Sequence, residues 1–340
     1  MVAATVLPLS QSASWSIRIF DFPRVHVAVV ATLTFVLLPL IETPMTVGTW
    51  ILLSALVAVI VMQAYWIYPY TILVSPEVEN SRDRGAEIRL MIANVLITNR
   101  RFSLLADHLA RYDPDILLAV EVNEWWAKQL ESLHPRFPYQ VSYPLDNSYG
   151  ISLHSKLELA DTEVRFLVQD DIPSIRTKVK LKSDALIEFY GVHPRPPAPD
   201  KLARSTERDA ELILIGQECE SRKLPVIVAG DLNDVAWSYT TLRFRKISRM
   251  LDPRVGRGFF ATFHAKLPFF RWPLDHVFHS DHFRLVDMKV LPQFGSDHLP
   301  VFIHLSYEPN AEFTQEGPER PDSEEGEKAR ETVERAQKSN

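Results

Sequence analysis

A single cysteine, Cys219, stands among 340 residues, so an internal disulfide, a Cys-x-x-Cys redox pair and a cysteine-built zinc site are all excluded. Phosphate-cradling Gly-x-x-x-x-Gly-Lys loops and dinucleotide fingerprints are missing as well. Neither Ser155 nor Ser238 sits in a Gly-x-Ser-x-Gly elbow, which removes the usual serine-hydrolase arrangement. The chain also lacks a basic excess: 37 Lys and Arg face 43 Asp and Glu, for a net charge of -6. Residues 309–340 carry nine acidic and five basic side chains, whereas residues 81–308 hold 30 of each. A neutral body has no global field to draw in nucleic acid.

Charge is absent from two stretches, residues 25–41 and 46–68, where Gln63 is the most polar side chain. A hydrocarbon layer of roughly 30 Å needs about 20 apolar residues in a helix, so both runs are expected to span a bilayer. Trp50, Tyr65, Trp66, Tyr68 and Tyr70 lie near the ends of the second run, where amphipathic rings favour the water boundary. Arg18 and Arg24 precede the pair, Arg82, Arg84 and Arg89 follow it, and the connector has no basic residue. Because Lys and Arg near span ends stay inside, a hairpin with a cytoplasmic body is expected. If the first run did not span, the body would be extracytoplasmic.

Downstream, strands and helices alternate. Residues 87–96, 115–122, 149–153, 163–168, 175–181, 185–192, 225–229, 274–279, 283–290 and 300–306 read as strands. Phe102, Leu105, Leu109 and Tyr112 recur at helical spacing; residues 123–133, 200–223 and 240–251 read as further helices. The pattern predicts layered α/β architecture with mixed sheets and helices outside. After residue 309 the composition turns to Glu, Ser, Pro and Lys, predicting a mostly disordered tail with transient helix at 324–338. The resulting division is an N-terminal segment (1–24), two spans (25–70), a linker (71–86), a body (87–308) and the tail (309–340).

Four polar clusters fall at the ends of apolar strands, where an open α/β sheet presents its functional groups. Asn94 closes the first strand, and Glu121 follows the apolar run that ends in Val120. Gly230-Asp231-Leu232-Asn233 follows residues 225–229, and Gly295-Ser296-Asp297-His298 precedes the last strand. Hydrolysis of a phosphate ester needs oxygen ligands for a hard cation, a group to orient water, and a cation or imidazole against phosphoryl charge. Glu121 with Asn94 supplies the first and Asp231 the second. Asn233 can donate to a phosphoryl oxygen, while His298 answers developing charge, its tautomer held by Asp275 or Asp297. The remaining histidines, His276 and His279 among them, show no paired metal spacing and read as structural.

These clusters, in this order, resemble the endonuclease/exonuclease/phosphatase superfamily of metal-dependent phosphohydrolases from about residue 88 to residue 305. The ordered matches are Asn94, the Glu121 strand, Gly191-Val192-His193, Gly230-Asp231-Leu232-Asn233, Leu274-Asp275-His276-Val277-Phe278 and Ser296-Asp297-His298. The resemblance implies a four-layer α/β sandwich, two mixed sheets flanked by helices, and a Mg2+ or Mn2+ cofactor. It further implies that Asn94 and Glu121 serve the metal with Asp297 approaching it, and that His193 contacts phosphate. Asp231 and Asn233 would handle nucleophile and phosphate, and Asp275 would support His298. Leu96 stands where several nuclease members have a second acidic residue, and Val120 where many members have Gln. His193-Pro194-Arg195-Pro196-Pro197 resembles the His-Pro-x-Pro-Pro of membrane-anchored bacterial members, which points to a bacterial inner membrane.

Between Tyr239 and Trp272 eight basic residues and eight aromatics face the single acid Asp252. Such a stretch suits a nucleic acid backbone or an anionic membrane surface. With the anchor, it favours a lipid-linked phosphate as substrate, contacted by Arg195 and Arg176. A nuclease acting on DNA or RNA is one alternative, and a non-catalytic membrane-tethered binding module is the other.

Overall fold

A computed structural model describes residues 1–82, 85–197 and 204–339. Arg84 and the expected start of a helix at Asp200 lie outside them. The apolar runs become strands buried on both faces. The first sheet contains β1 (Ala86–Asn94), β2 (Ile116–Val120), β3 (Tyr139–Tyr143) and β4 (Ile151–Ser155). The second contains β5 (Leu159–Arg165), β6 (Ser174–Lys180), β7 (Leu186–Val192), β8 (Val226–Asp231) and β9 (Asp275–His279). The chain then returns to the first sheet with β10 (Phe283–Val290) and β11 (Val301–Tyr307). Strand order is β10-β11-β1-β2-β4-β3 in one sheet and β5-β6-β7-β8-β9 in the other, with β1/β2 and β7/β8 parallel.

Alternation along each central strand sets the layers. Ile88, Leu90 and Ile92 of β1 meet Ile175, Phe189, Ile227 and Val277 between the sheets. Met91 and Ala93 point the other way, onto Leu105 and Leu109 of helix Phe102–Tyr112 and Trp126 of helix Glu124–Glu131. On the far side, Tyr190, Val192, Val226 and Val228 pack against Leu212 and Ile215 of helix Thr206–Ser221 and Phe244 of helix Tyr239–Ser248. This is the four-layer α/β sandwich.

The parallel pairs bring strand ends to one edge. Asn94 pairs with Val120, Val192 with Gly230 and Asp231 with Asp275, so the polar residues that follow emerge side by side. Gly230 is required there: its φ is +152°, and a Cβ would lie 1.8 Å from Val192 O.

Helices Arg24–Ile41 and Val47–Ile67 pack on each other through Ala31, Leu53, Leu56 and Val59 as a hairpin. Both are long and apolar enough to cross a membrane. Residues on either side of the hairpin reach the sandwich. Arg18 pairs with Asp209 at 3.3 Å, Trp237 Nε1 donates to Asp21 O, and Tyr70 donates to Ala236 O.

Two features escape the sequence pattern. The edge strand β3 goes unseen in the sequence, since only Val141 of its residues packs on the core. In the tail the helix expected at 324–338 is Ser323–Ser339, and its Ala329 and Val333 cover Ile213 and Ile247, a packing the composition did not suggest. Its charge belongs to the solvent side, where Lys246 also binds Glu325. Truncation after Pro318 is expected to remove about 2 kcal/mol of apolar burial. The unfolding midpoint should fall by roughly 4–8 °C, read by calorimetry, for a domain of this size; a solvated tail would leave it unchanged.

Candidate active site

The edge where β1, β2, β7 and β8 end and β9 begins gathers carboxylates around one amide. Asn94 Nδ2 donates to Glu121 Oε1 at 2.9 Å and to Asp231 Oδ2 at 3.0 Å. Glu121 also accepts from Ile97 N at 3.3 Å, and Asp231 Oδ1 accepts from Asn233 N at 2.9 Å. Asp275 Oδ2 lies 2.8 Å from His298 Nδ1, while the other ring nitrogen is 3.5 Å from Asp231 Oδ2. His193 Nε2 approaches the same Asp231 oxygen at 3.9 Å. Asp231, Asp275 and His298 offer donor atoms all within 4.8 Å of one another, and all three are buried.

Burial sets the electrostatics. It pushes the Glu121 carboxyl up, against the Asn94 hydrogen bond, and pushes Asp231 up despite the facing His298. His193 is driven down to about 4 by burial and is a neutral imidazole at pH 7. Burial also opposes charge on His298, but Asp231 and Asp275 outweigh it and hold the imidazole pKa up at about 10. His298 is therefore an imidazolium clamped between two carboxylates.

The donor set fits a hard divalent cation. Clustered carboxyl oxygens are its preferred ligands, and Asp275 Oδ1 is buried without a hydrogen-bond partner. Glu121 is the residue that would hold it, with Asn94 and Asp231 beside it. Asn94 is at the centre of the group: its amide bridges the two carboxylates and its Oδ1 accepts from Leu96 N at 3.0 Å. Asp297 is half-buried, accepts from Ser296 Oγ at 3.4 Å and adds negative charge facing His298, at the margin of the group.

The other expected residues divide. Asn233 is at the site, its Nδ2 donating to Pro194 O at 3.0 Å. Arg195 is next to it, lying over the Tyr149 ring and paired with Asp171 at 2.5 Å. Arg176 is a correction. It pairs in register with Tyr190 on the outer, helix-covered face of the second sheet, and its guanidinium binds Glu163 and Glu188 at 3.5 Å. The basic stretch is likewise spent inside the fold. Arg245 binds Glu77, Arg254 binds Asp252, Lys246 binds Glu325, and Arg243, Arg257 and Arg271 donate to Tyr239, Val78 O and Ala265 O.

Sequence reading missed the support beneath the site. Buried Arg208 donates to Asn233 O at 2.8 Å and pairs with Asp234 at 3.0 Å, fixing the loop after β8. Phe263 packs 4.9 Å from the His298 ring, and Tyr149 lies 5.5 Å from that of His193. The nearest sequence signal was a charged pair, Arg208-Asp209, on a helix face with no obvious partner.

A four-layer sandwich with a buried carboxylate, amide and imidazole cluster at its strand ends defines a metal-dependent phosphoric ester hydrolase. The chain belongs to the endonuclease/exonuclease/phosphatase family, whose model matches residues 91–298. No curated protein matches it in sequence. Solved structures share the fold at low identity. A zebrafish TDP2 complexed with a single-strand DNA product superposes with a TM-score of 0.54 at 15% identity, covering 65% of this chain and 99% of that one. The human Nocturnin catalytic domain with bound sulfate gives 0.51 at 18%, covering 65% and 94%. A Bacteroides thetaiotaomicron mannosyl-6-phosphatase gives 0.51 at 16%, covering 64% and 99%.

The clamp on His298 predicts a titration. In metal-free protein its imidazole should stay protonated through neutral pH and lose its proton only near about 10. The stability drawn from this ion pair is complete below the ordinary histidine pKa of about 6.5 and fades as pH rises through the folded value. Asp275→Asn removes one of the two carboxylates and should lower the midpoint, followed by NMR of the imidazole.

Proposed function

We propose that this protein is a membrane-anchored, Mg2+- or Mn2+-dependent phosphohydrolase that cleaves a phosphate ester by water attack, with a lipid-linked phosphate as the favoured substrate. The convergence of Glu121, Asn94, Asp231, Asp275 and His298 carries the reading. A divalent cation bound there supplies charge neutralisation and polarisation of a phosphoryl oxygen. Asp231, ringed by donors and buried, orients the attacking water and receives its proton. The His298 imidazolium stabilises charge on the phosphoryl oxygens and is the proton source for the leaving oxygen. Asn233 steers a phosphoryl oxygen, and neutral His193 donates a hydrogen bond without adding charge. Arg208 keeps Asn233 in place from below.

The two-helix hairpin is the anchor of the proposed enzyme, with residues 87–308 as its catalytic unit. Contacts of Arg18 and Asp21 before the hairpin, and of Tyr70 after it, with the same sandwich support both flanks lying on one side of the bilayer. The arginines of these flanks favour the cytoplasmic side of a bacterial inner membrane. The basic stretch favours neither a lipid-linked nor a nucleic acid substrate, because six of its eight cations have partners within the fold; a nuclease acting on DNA or RNA is the second reading.

The full chain in detergent should hydrolyse a generic phosphate ester with Mg2+ or Mn2+ and stop when a chelator is added. Glu121→Ala and His298→Ala should each lower kcat by about 10²–10⁴-fold, the usual cost of removing an electrostatic or acid–base group. Metal-dependent turnover that survives both substitutions contradicts the proposal.

A further inference from the structure

Beside His298 and Asn233 a cleft of about 460 Å³ opens between the sandwich and the N-terminal segment. One wall is Trp15, Ile19 and Phe22, contributed by the residues just ahead of helix Arg24–Ile41. Phe263 and Trp272 line it from the sandwich, the Trp272 ring meeting that of Phe22 edge-to-face at 5.9 Å. Asn233 and His298 thus form one end of a slot whose remaining lining is apolar except for Arg18, whose charge is paired with Asp209. A phosphate, or a water that attacks it, needs no such walls; a hydrocarbon chain attached to that phosphate does.

The height of the cleft says where such a chain comes from. Its N-terminal lining runs to Pro23, the residue directly before the first apolar helix. In the first turn of that helix, His26 stacks on Phe270 with ring centroids 5.1 Å apart, and its Nε2 meets Phe269 O. The loop that carries these aromatics projects Leu267, Phe269 and Phe270 outward at 50%, 84% and 55% exposure. On a protein reading as membrane-anchored, three adjacent exposed apolar side chains held against the base of a span lie at the hydrocarbon boundary. Ile72 and Leu73, 82% and 76% exposed just beyond the second helix, are a further apolar pair on the same anchor.

We infer that the cleft lined by Trp15, Ile19, Phe22, Phe263 and Trp272 binds the hydrocarbon chain of an amphiphilic phosphate ester, drawn from the bilayer with its phosphate delivered to Asn233 and His298. The inference rests on the hydrolase reading above and narrows its substrate class. It gives the N-terminal segment a role in specificity as well as anchoring, because five of the twelve residues that line the cleft belong to it.

The test uses the full chain in one detergent and two probe series, 4-nitrophenyl alkyl phosphodiesters and monoalkyl phosphates, with methyl, butyl, octyl and dodecyl chains. Each buried methylene is worth about a fourfold gain, so kcat/KM should climb by more than tenfold from methyl to octyl and level off once the cleft is full. Ile19→Glu places a charge in the apolar wall and should flatten that climb, with Trp15→Ala flattening it less. Partition into the micelle raises wild type and variants alike, so a chain-length dependence equal in all three proteins overturns the inference. A methyl ester cleaved as well as an octyl ester overturns it too, as does a stronger preference for the 4-nitrophenyl ester of thymidine 5′-phosphate. Failure to cleave any probe with metal present is a different result, and it removes the hydrolase reading itself.

Discussion

The site is organised by a conflict between burial and negative charge. Asp231 and Asp275 are withdrawn from water at the end of one sheet, and Glu121 faces them from the other. Left alone, such carboxylates repel one another and favour protonation. Two internal answers are present: the Asn94 amide donates to Glu121 and Asp231 together, and the His298 imidazolium sits between Asp231 and Asp275. These partners leave Asp275 Oδ1 unpaired and Glu121 and Asp231 raised. A further positive charge is what the arrangement still calls for, and that requirement links the fold to its chemistry.

The sandwich supplies the geometry for this conflict. Parallel pairing of β1 with β2 and of β7 with β8 points four carboxyl-terminal strand ends in one direction. Gly230 lets β8 pass within contact of Val192 O, so that Asp231 emerges between the sheets. Beneath it, the ion cluster of Arg18, Arg208, Asp209 and Asp234 joins the loop after β8 to the segment before the hairpin. The segment before the hairpin and the loop after β8 therefore share one buried network. Arg208 of this network holds the Asn233 carbonyl.

What could be read in advance followed from local pattern. The helix over Phe102–Tyr112 declares itself through Leu105 and Leu109, and the central strands through runs such as residues 116–120, because both faces are buried. Asn94, Glu121, Asp231 and His298 were legible because polar residues at the ends of such runs are conspicuous. Long-range pairing was not. Arg176 looked available for substrate, yet Glu188 and Glu163 engage it on the far face. The basic stretch looked like an interface, yet Arg254 is wholly buried against Asp252. The tail helix hides a narrow apolar stripe, Ala329 and Val333, inside a composition that otherwise belongs to solvent. The cleft wall of Trp15, Ile19 and Phe22 was invisible for a similar reason, since its partners lie some 240 residues away at Phe263 and Trp272.

Direct titration of metal-free protein with Mn2+ in a calorimeter tests the central claim, the proposal that the cluster around Glu121 receives a divalent cation. Saturable binding that disappears in Glu121→Gln, with the unfolding midpoint of the metal-free variant unchanged or raised, is the predicted result. The midpoint expectation follows because the substitution removes a buried charge. Equal Mn2+ affinity in wild type and variant would contradict the account.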